Sequence, residues 1–463
     1  AFREALRDGG LDIYDRSSEL GVKMFRQENV QLGADDEKLS NEYTRTIAAM
    51  TVTYKGEEVT LSGMSKYLAD PDRAVREEAF RLVSSRRLLD AEALDAVFDK
   101  MVALRDKVSR NADFENYRDY MHVGKERFDY TPEDCLAFGE NVKQYIVPAM
   151  RKINEHRRQK LGVDTLRPWD TSVDLDGADA FEPFTDAAGH VDVSAKLMSA
   201  VAEDFGEELR WMSSQGLLDL ETRPHKGPGG FMDNLEKRRV PVIFANSGTT
   251  HGDVETLVHE GGHALNGLFC RDLEPVAYRM PPLEFAEVAS MGLEALAMEH
   301  LEDVYPADEA QRARRDSLEG MLSTFAWVAT IDGFQHWIYT HPQHTRDERT
   351  AAWNTLLDDF STGVDWSGLE TERSSVWHRQ LHIFQVPFYY IEYALAQMGA
   401  IQLWLNYRTD REACVAAYRH GLSLGGSTGL PELFEAAGLS FDPRGNGFAD
   451  WVPQIVAEWE KAV

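Results

Sequence analysis

The chain has 463 residues, with 78 acidic against 49 basic side chains, a formal net charge of −29 and 43% hydrophobic residues. That composition is globular rather than disordered, and so negative a surface repels nucleic acid and anionic membranes, so neither is expected as a partner. No run of about 18 apolar residues occurs, so no membrane-spanning helix is expected either.

Cys135, Cys270 and Cys414 stand far apart without CxxC spacing, which speaks against a disulfide framework and for a reducing compartment. No lysine occurs between Lys237 and Lys461, and an acidic, lysine-poor surface suits high salt, where screening removes self-repulsion. The amino terminus, AFREALRDGGLDIYDRSSELG, lacks the basic start and apolar core of a signal peptide. It opens mid-pattern without methionine, so further upstream sequence is expected.

Residues 13–160 read as helices, with apolar positions recurring at three and four in stretches such as 71–87 and ALDAVFDKMVALRDKV. PEDC places proline and acids in a first turn, as a helix start requires. Residues 163–192 break that rhythm with Pro, Gly and Asp; the DLDG within them lacks the later ligands and closing glutamate of a calcium loop. In residues 222–250, TRPHKGPGGF reads as a loop and VPVIFANSG as a short strand. Helices resume from about Asp253 to the end. The expected fold is mainly α, with a small β element just before a metal-binding helix. Its expected regions are a helical lobe over 1–160, a linker and helical segment over 161–222, and a catalytic region over 223–463.

ETLVHEGGHALNG carries the chemistry. On a helix, Val254, Leu257, Val258, Leu265, Leu268 and Phe269 form an apolar stripe that includes Gly261, and Gly262 lies at its edge. His259 and His263 fall on the opposite face, with Glu255 and Asn266. Histidines four apart point the same way one turn on, close enough to share one tetrahedral ion, and Glu260 beside them is free to act on a water. A catalytic zinc needs a third protein ligand. In PPLEFAEVASMGLEALAMEH, Glu287, Ser290, Met291 and Glu294 share one helical face, and two acids on so apolar a helix need partners. Glu287 is the expected third ligand, and Glu294 and Glu255 are expected to orient ligand imidazoles. Two imidazoles and a carboxylate suit Zn2+ best. A later pair, His378 and His382, has no glutamate between its members; His382 is the better candidate for a donor to substrate. Tyr389, Tyr390 and Tyr393 follow, and a phenolic O–H can donate to an oxyanion.

These stretches together resemble the thimet oligopeptidase/oligoendopeptidase F family of zinc metallopeptidases, and its oligoendopeptidase F-like branch in particular. ENYRDYMHVGKERFDYTPEDC, GPGGFMDNL, VPVIFANSGTTHGDVETLVHEGGHALN, EFAEVASMGLEAL and HIFQVPFYYIEYALAQMGA are similar to family blocks in family order, over about residues 80–430. The resemblance implies zinc ligands at His259, His263 and Glu287, a general base at Glu260, and a transition-state hydrogen bond from Tyr393, with His382 and Tyr390 as further candidates. It implies that the strand around Phe244, Ala245 and Asn246 is the edge to which extended peptide adds its backbone. It also implies a two-lobed helical fold with a deep channel, acting on short unfolded peptides in the cytoplasm. Met232 stands where relatives often have cysteine. Within the HEGGH run, the second glycine is the one usual in the family, so alanine should be tolerated better at Gly261 than at Gly262. Two other readings share part of this pattern: a zinc metallocarboxypeptidase of the thermostable Taq-like family, and a peptide-binding relative that has lost catalysis.

Overall fold

The computed structural model describes residues 2–177, 181–223, 226 and 229–463. The described part is mainly helical, with five short strands. By internal packing the chain divides into two units. The first comprises Ala1–Glu19, Ala180–Met321 and Glu392–Val463; the second comprises Leu20–Asp179 and Leu322–Ile391. Among the described residues, no helix is long and apolar enough to cross a membrane.

The second unit is built on an aromatic core in which Phe98, Trp353, Trp377, Phe384 and Phe388 pack with Tyr43 and Tyr339. Arg105 threads this core almost fully buried, donating to Asp36, to the Tyr339 hydroxyl at 2.8 Å and to the Ile383 and Phe384 carbonyls. The helix start expected at PEDC is present as Pro132–Asn141, with Thr131 and Asp134 closing a reciprocal capping box ahead of it.

One departure from the all-helical reading of 13–160 is a hairpin, β1 (Thr51–Tyr54) antiparallel to β2 (Glu57–Thr60). Its two-residue turn holds Lys55 and Gly56 at φ 53° and 85°, the left-handed pair that matches strand twist. Val52 and Tyr54 pack inward against Met64, Ala79 and Val83.

In the first unit, β3 (Leu218–Glu221), β4 (Gly230–Leu235) and β5 (Val240–Ser247) form one sheet in the order β3-β5-β4. The expected strand is therefore there, but it is not alone and it is not an edge. Phe244 pairs with Asp219 of β3 and with Phe231 of β4, Ala245 pairs with Gly230, and the Asn246 N–H donates to the Gly229 carbonyl. A backbone paired on both sides has no row of free amides for a peptide, so Phe244, Ala245 and Asn246 cannot be the strand-addition site. The open edges belong to β3 and β4. Residues 224, 225, 227 and 228 of the expected TRPHKGPGGF loop lie outside the described residues, and Gly230 and Phe231 are already in β4.

Candidate metal centre

After β5 the chain turns into the helix His251–Cys270, the histidine helix. Asp253 fixes its first turn by accepting from the Gly248 and Thr250 amides and from the Thr250 hydroxyl, at 2.7–2.8 Å. A negative charge there also suits the positive end of the helix dipole. The helix is buried more completely than a single stripe requires. Asn266, expected on the open face, is 4% exposed and donates to the Leu422 carbonyl.

The helix Leu283–Ala297, the glutamate helix, packs directly against it. Gly262 is what permits the approach: a Cβ there would lie 2.4 Å from the Ala289 carbonyl oxygen and 2.6 Å from Ser290 Cα. At Gly261 a Cβ would meet only the Met198 thioether end, at 3.1 Å.

This contact brings three ligand-type side chains together. Atoms of His259, His263 and Glu287 all lie within 4.8 Å of one another. Glu287 Oε2 is 3.5 Å from His259 Nε2 and 3.7 Å from His263 Nε2, and the two imidazole rings stand 4.9 Å apart at 84°. Ser290 Oγ donates to Glu287 Oε2 at 3.2 Å. Behind His259, Glu294 Oε1 takes Nδ1–H at 2.5 Å, so Nε2 is the nitrogen turned to the cluster and the one a metal would take on losing its proton. Two imidazoles and a carboxylate at these separations, with one imidazole held in the ligand tautomer, fit a tetrahedral divalent cation that keeps one position open.

The electrostatics fit as well. Burial disfavours a charged His259, but the Glu294 hydrogen bond and the charges of Glu294, Glu287 and Glu260 override it and lift the imidazole to about 9. His263 is pushed down to about 3 by burial and by the charge on His259. Glu260, 6% exposed, has one carboxylate oxygen buried without a hydrogen bond. Burial raises it to about 7, with Glu287 and Glu294 adding to the rise and His259 and the Met232 backbone amide opposing it. A carboxyl at that value can gain or lose a proton near neutrality.

Not every expected side chain joins the cluster. Glu255 sits one turn before His259, yet it accepts from Ser317 Oγ at 2.9 Å and pairs with His251 at 3.3 Å. Its geometry orients neither ligand imidazole. Nothing in the sequence signalled Ser317, which comes from the distant helix Ala307–Thr340. Tyr393 is half-buried in the helix Tyr390–Thr409, which packs on the glutamate helix at Gly399, where a Cβ would lie 2.8 Å from the Val288 side chain.

His382 and Tyr390 belong to the second unit. Their rings meet edge-on at 4.7 Å, Gln380 Nε2 bonds His382 Nδ1 at 2.7 Å, and burial lowers His382 to about 4. A neutral imidazole is thus held at physiological pH. Phe388 between them takes a left-handed φ of 63°, costly for a bulky residue. Its N–H donates to Gln335 Oε1 at 2.7 Å and its carbonyl accepts from Arg127, which hold the strained peptide in place. His378 is buried and pairs with Asp95 at 3.3 Å.

The family model described as Peptidase family M3 matches residues 66–444. The chain belongs to peptidase family M3. Among curated relatives, it is 22% identical over 366 residues to Group B oligopeptidase PepB of Streptococcus agalactiae serotype III (strain NEM316), covering 77% of this chain and 58% of that protein. The chain thus spans little more than half of that relative. Solved structures are similar over nearly the whole chain. An X-ray structure described as an oligoendopeptidase F superposes with a TM-score of 0.92 at 29% identity, covering 100% of this chain and 81% of that one. A Pz peptidase A solved with an inhibitor superposes at 0.91 and 28% identity, covering 99% and 82%. The mainly helical fold is thus that of an oligoendopeptidase F-like M3 peptidase.

Proposed function

We propose that this M3 protein is a zinc-dependent oligoendopeptidase that hydrolyses internal bonds of short, unfolded peptides. The observation that carries the reading is the convergence of His259, His263 and Glu287 beside the buried carboxyl group of Glu260. His259, His263 and Glu287 would hold Zn2+. When bound, zinc supplies Lewis-acid polarisation of a carbonyl and makes a water more acidic. Glu260 takes a proton from water and returns it to the leaving amine, a role its value of about 7 suits. Glu294 holds His259 in the ligand tautomer. Tyr393 donates its phenolic O–H to the developing oxyanion. The peptide backbone lies along the open edge of β4, whose Met232 amide already neighbours Glu260.

An internally quenched peptide blocked at both ends tests the reading. Turnover that disappears with a chelator and returns with Zn2+ is expected. A zinc-loaded protein that cleaves only peptides with a free carboxyl terminus would favour a carboxypeptidase instead, and one that binds peptide without cleaving it would favour a binding protein.

A further inference from the structure

The second unit holds a further group of ligand-type side chains that peptide hydrolysis does not use. Cys135 comes from the first turn of the helix Pro132–Asn141, and Asp332 and His336 come from the later part of the helix Ala307–Thr340. The two helices pack together, with the Phe138 and Phe325 rings 6.2 Å apart. Asp332 and His336 stand four apart on one helical face, and Asp332 Oδ2 lies 3.2 Å from His336 Nε2. A ligand-type atom of each of the three residues lies within 4.8 Å of the other two, the same separation that gathers His259, His263 and Glu287.

All three side chains are buried: Cys135 is 4% exposed, Asp332 2% and His336 5%. Polar atoms taken out of water are costly unless each is met by a partner. Asp332 Oδ1 and His336 Nδ1 are buried and, among the described residues, neither has a hydrogen-bond partner. His336 is also the one ion-pair partner of Asp332 among those residues, with no arginine or lysine beside the carboxylate. A simple Asp–His pair accounts for one contact and leaves an oxygen and a nitrogen unused next to a thiol. A cation bound between the three side chains gives those atoms a partner.

The donor set indicates which cation. Sulfur, an imidazole nitrogen and one carboxylate suit a transition metal of intermediate softness, whereas Mg2+ and Ca2+ take oxygen ligands. A thiolate and a carboxylate together carry two negative charges, so with a neutral imidazole they cancel a divalent ion, as an interior site requires. We propose that Cys135, Asp332 and His336 form a metal site for Zn2+ or an ion of like chemistry, separate from the centre in the first unit. Binding displaces the thiol proton to water. Because the ligands are turned away from solvent, the site joins the helices Pro132–Asn141 and Ala307–Thr340 and does not act on substrate.

Cobalt separates this site from the other one, because His259, His263 and Glu287 offer no sulfur. Metal-free full-length protein, kept reduced with a phosphine, is titrated with Co2+ and then with Zn2+. A thiolate-to-cobalt charge-transfer absorption in the near ultraviolet is expected, saturating at about one equivalent and displaced by Zn2+. It should be absent in Cys135→Ala. Asp332→Asn, which keeps the thiol, should retain the band but bind Co2+ at this site about tenfold more weakly or worse. The absence of a sulfur band in the native protein would overturn the assignment, whether or not the first unit loads metal. A band that survives in Cys135→Ala would overturn it too, by placing the sulfur at Cys270 or Cys414. Should Cys135→Ala fail to fold, Asp332→Asn still decides: native affinity in that variant would remove Asp332 as a ligand and the site with it.

Discussion

Replacing Gly262 with alanine places a methyl where there is no room for one. The new carbon would sit 2.4 Å from the Ala289 carbonyl oxygen and 2.6 Å from Ser290 Cα, both backbone atoms of the glutamate helix. Ordinary contact is about 3.5 Å, so the two helices must part by about 1 Å. Overpacking of this kind costs about 1–3 kcal/mol, and alanine regains about 1 kcal/mol of helix propensity over glycine, so the net loss of stability is modest. The effect on the ligands is larger. Glu287, one turn before Ala289–Ser290, now stands 3.5 and 3.7 Å from the two Nε2 atoms. Metal–ligand distances tolerate only about 0.2 Å, so the same displacement uncouples the carboxylate from the imidazoles. Gly261→Ala meets only the flexible Met198 thioether at 3.1 Å, which can give way, and the helix gain offsets the crowding. Thermal unfolding of the metal-free proteins and competition for Zn2+ against a chelator measure both effects. Gly262→Ala should lose zinc affinity out of proportion to its stability while Gly261→Ala keeps both. Equal zinc loss in the two variants, or native affinity in Gly262→Ala, would refute the reasoning.

Glu294→Gln removes the charge that fixes His259, and zinc affinity should fall about 10–100-fold, measured by the same competition. In the metal-free protein His259 titrates at about 9, so below that pH it carries a proton that zinc must displace. Calorimetry in buffers of different ionisation enthalpy should show about one proton released at pH 7–8, with affinity rising with pH and levelling above about 9. A pH-independent affinity over that range would contradict the assigned ligand. Arg105→Met leaves Asp36 and two backbone carbonyls without their buried partner, and should destabilise the protein by about 3–5 kcal/mol in denaturant unfolding.

The legible part of the site was the part that lives on helical periodicity. Spacing alone placed His259 and His263 on one face and Glu287 and Glu294 on another, and the structure brings those faces together at a glycine. Periodicity says nothing about which strand lies between which. The family resemblance implied an edge at Phe244–Asn246, and the neighbouring strands β3 and β4 are short, with sequences, LDLE and GFMDNL, that carry little apolar alternation to announce them. The hairpin at residues 51–60 was signalled by TVTYKGEEVT, whose alternation and Lys-Gly turn were masked by the strong helices on either side. Glu255 was misjudged because its true partner, Ser317, is distant in sequence and of a residue type that marks nothing by itself. The strained Phe388 depends on tertiary contacts, and no local pattern encodes it.

The central claim is that Glu260 moves a proton in a peptide hydrolysis supported by His259, His263 and Glu287. It is tested most directly by Glu260→Gln, assayed on an end-blocked quenched peptide after zinc content has been measured. The change keeps size and shape and leaves the three ligand side chains intact. The variant should retain its zinc and lose hydrolysis by about 100-fold or more. A zinc-loaded Glu260→Gln protein that cleaves at the native rate would contradict it.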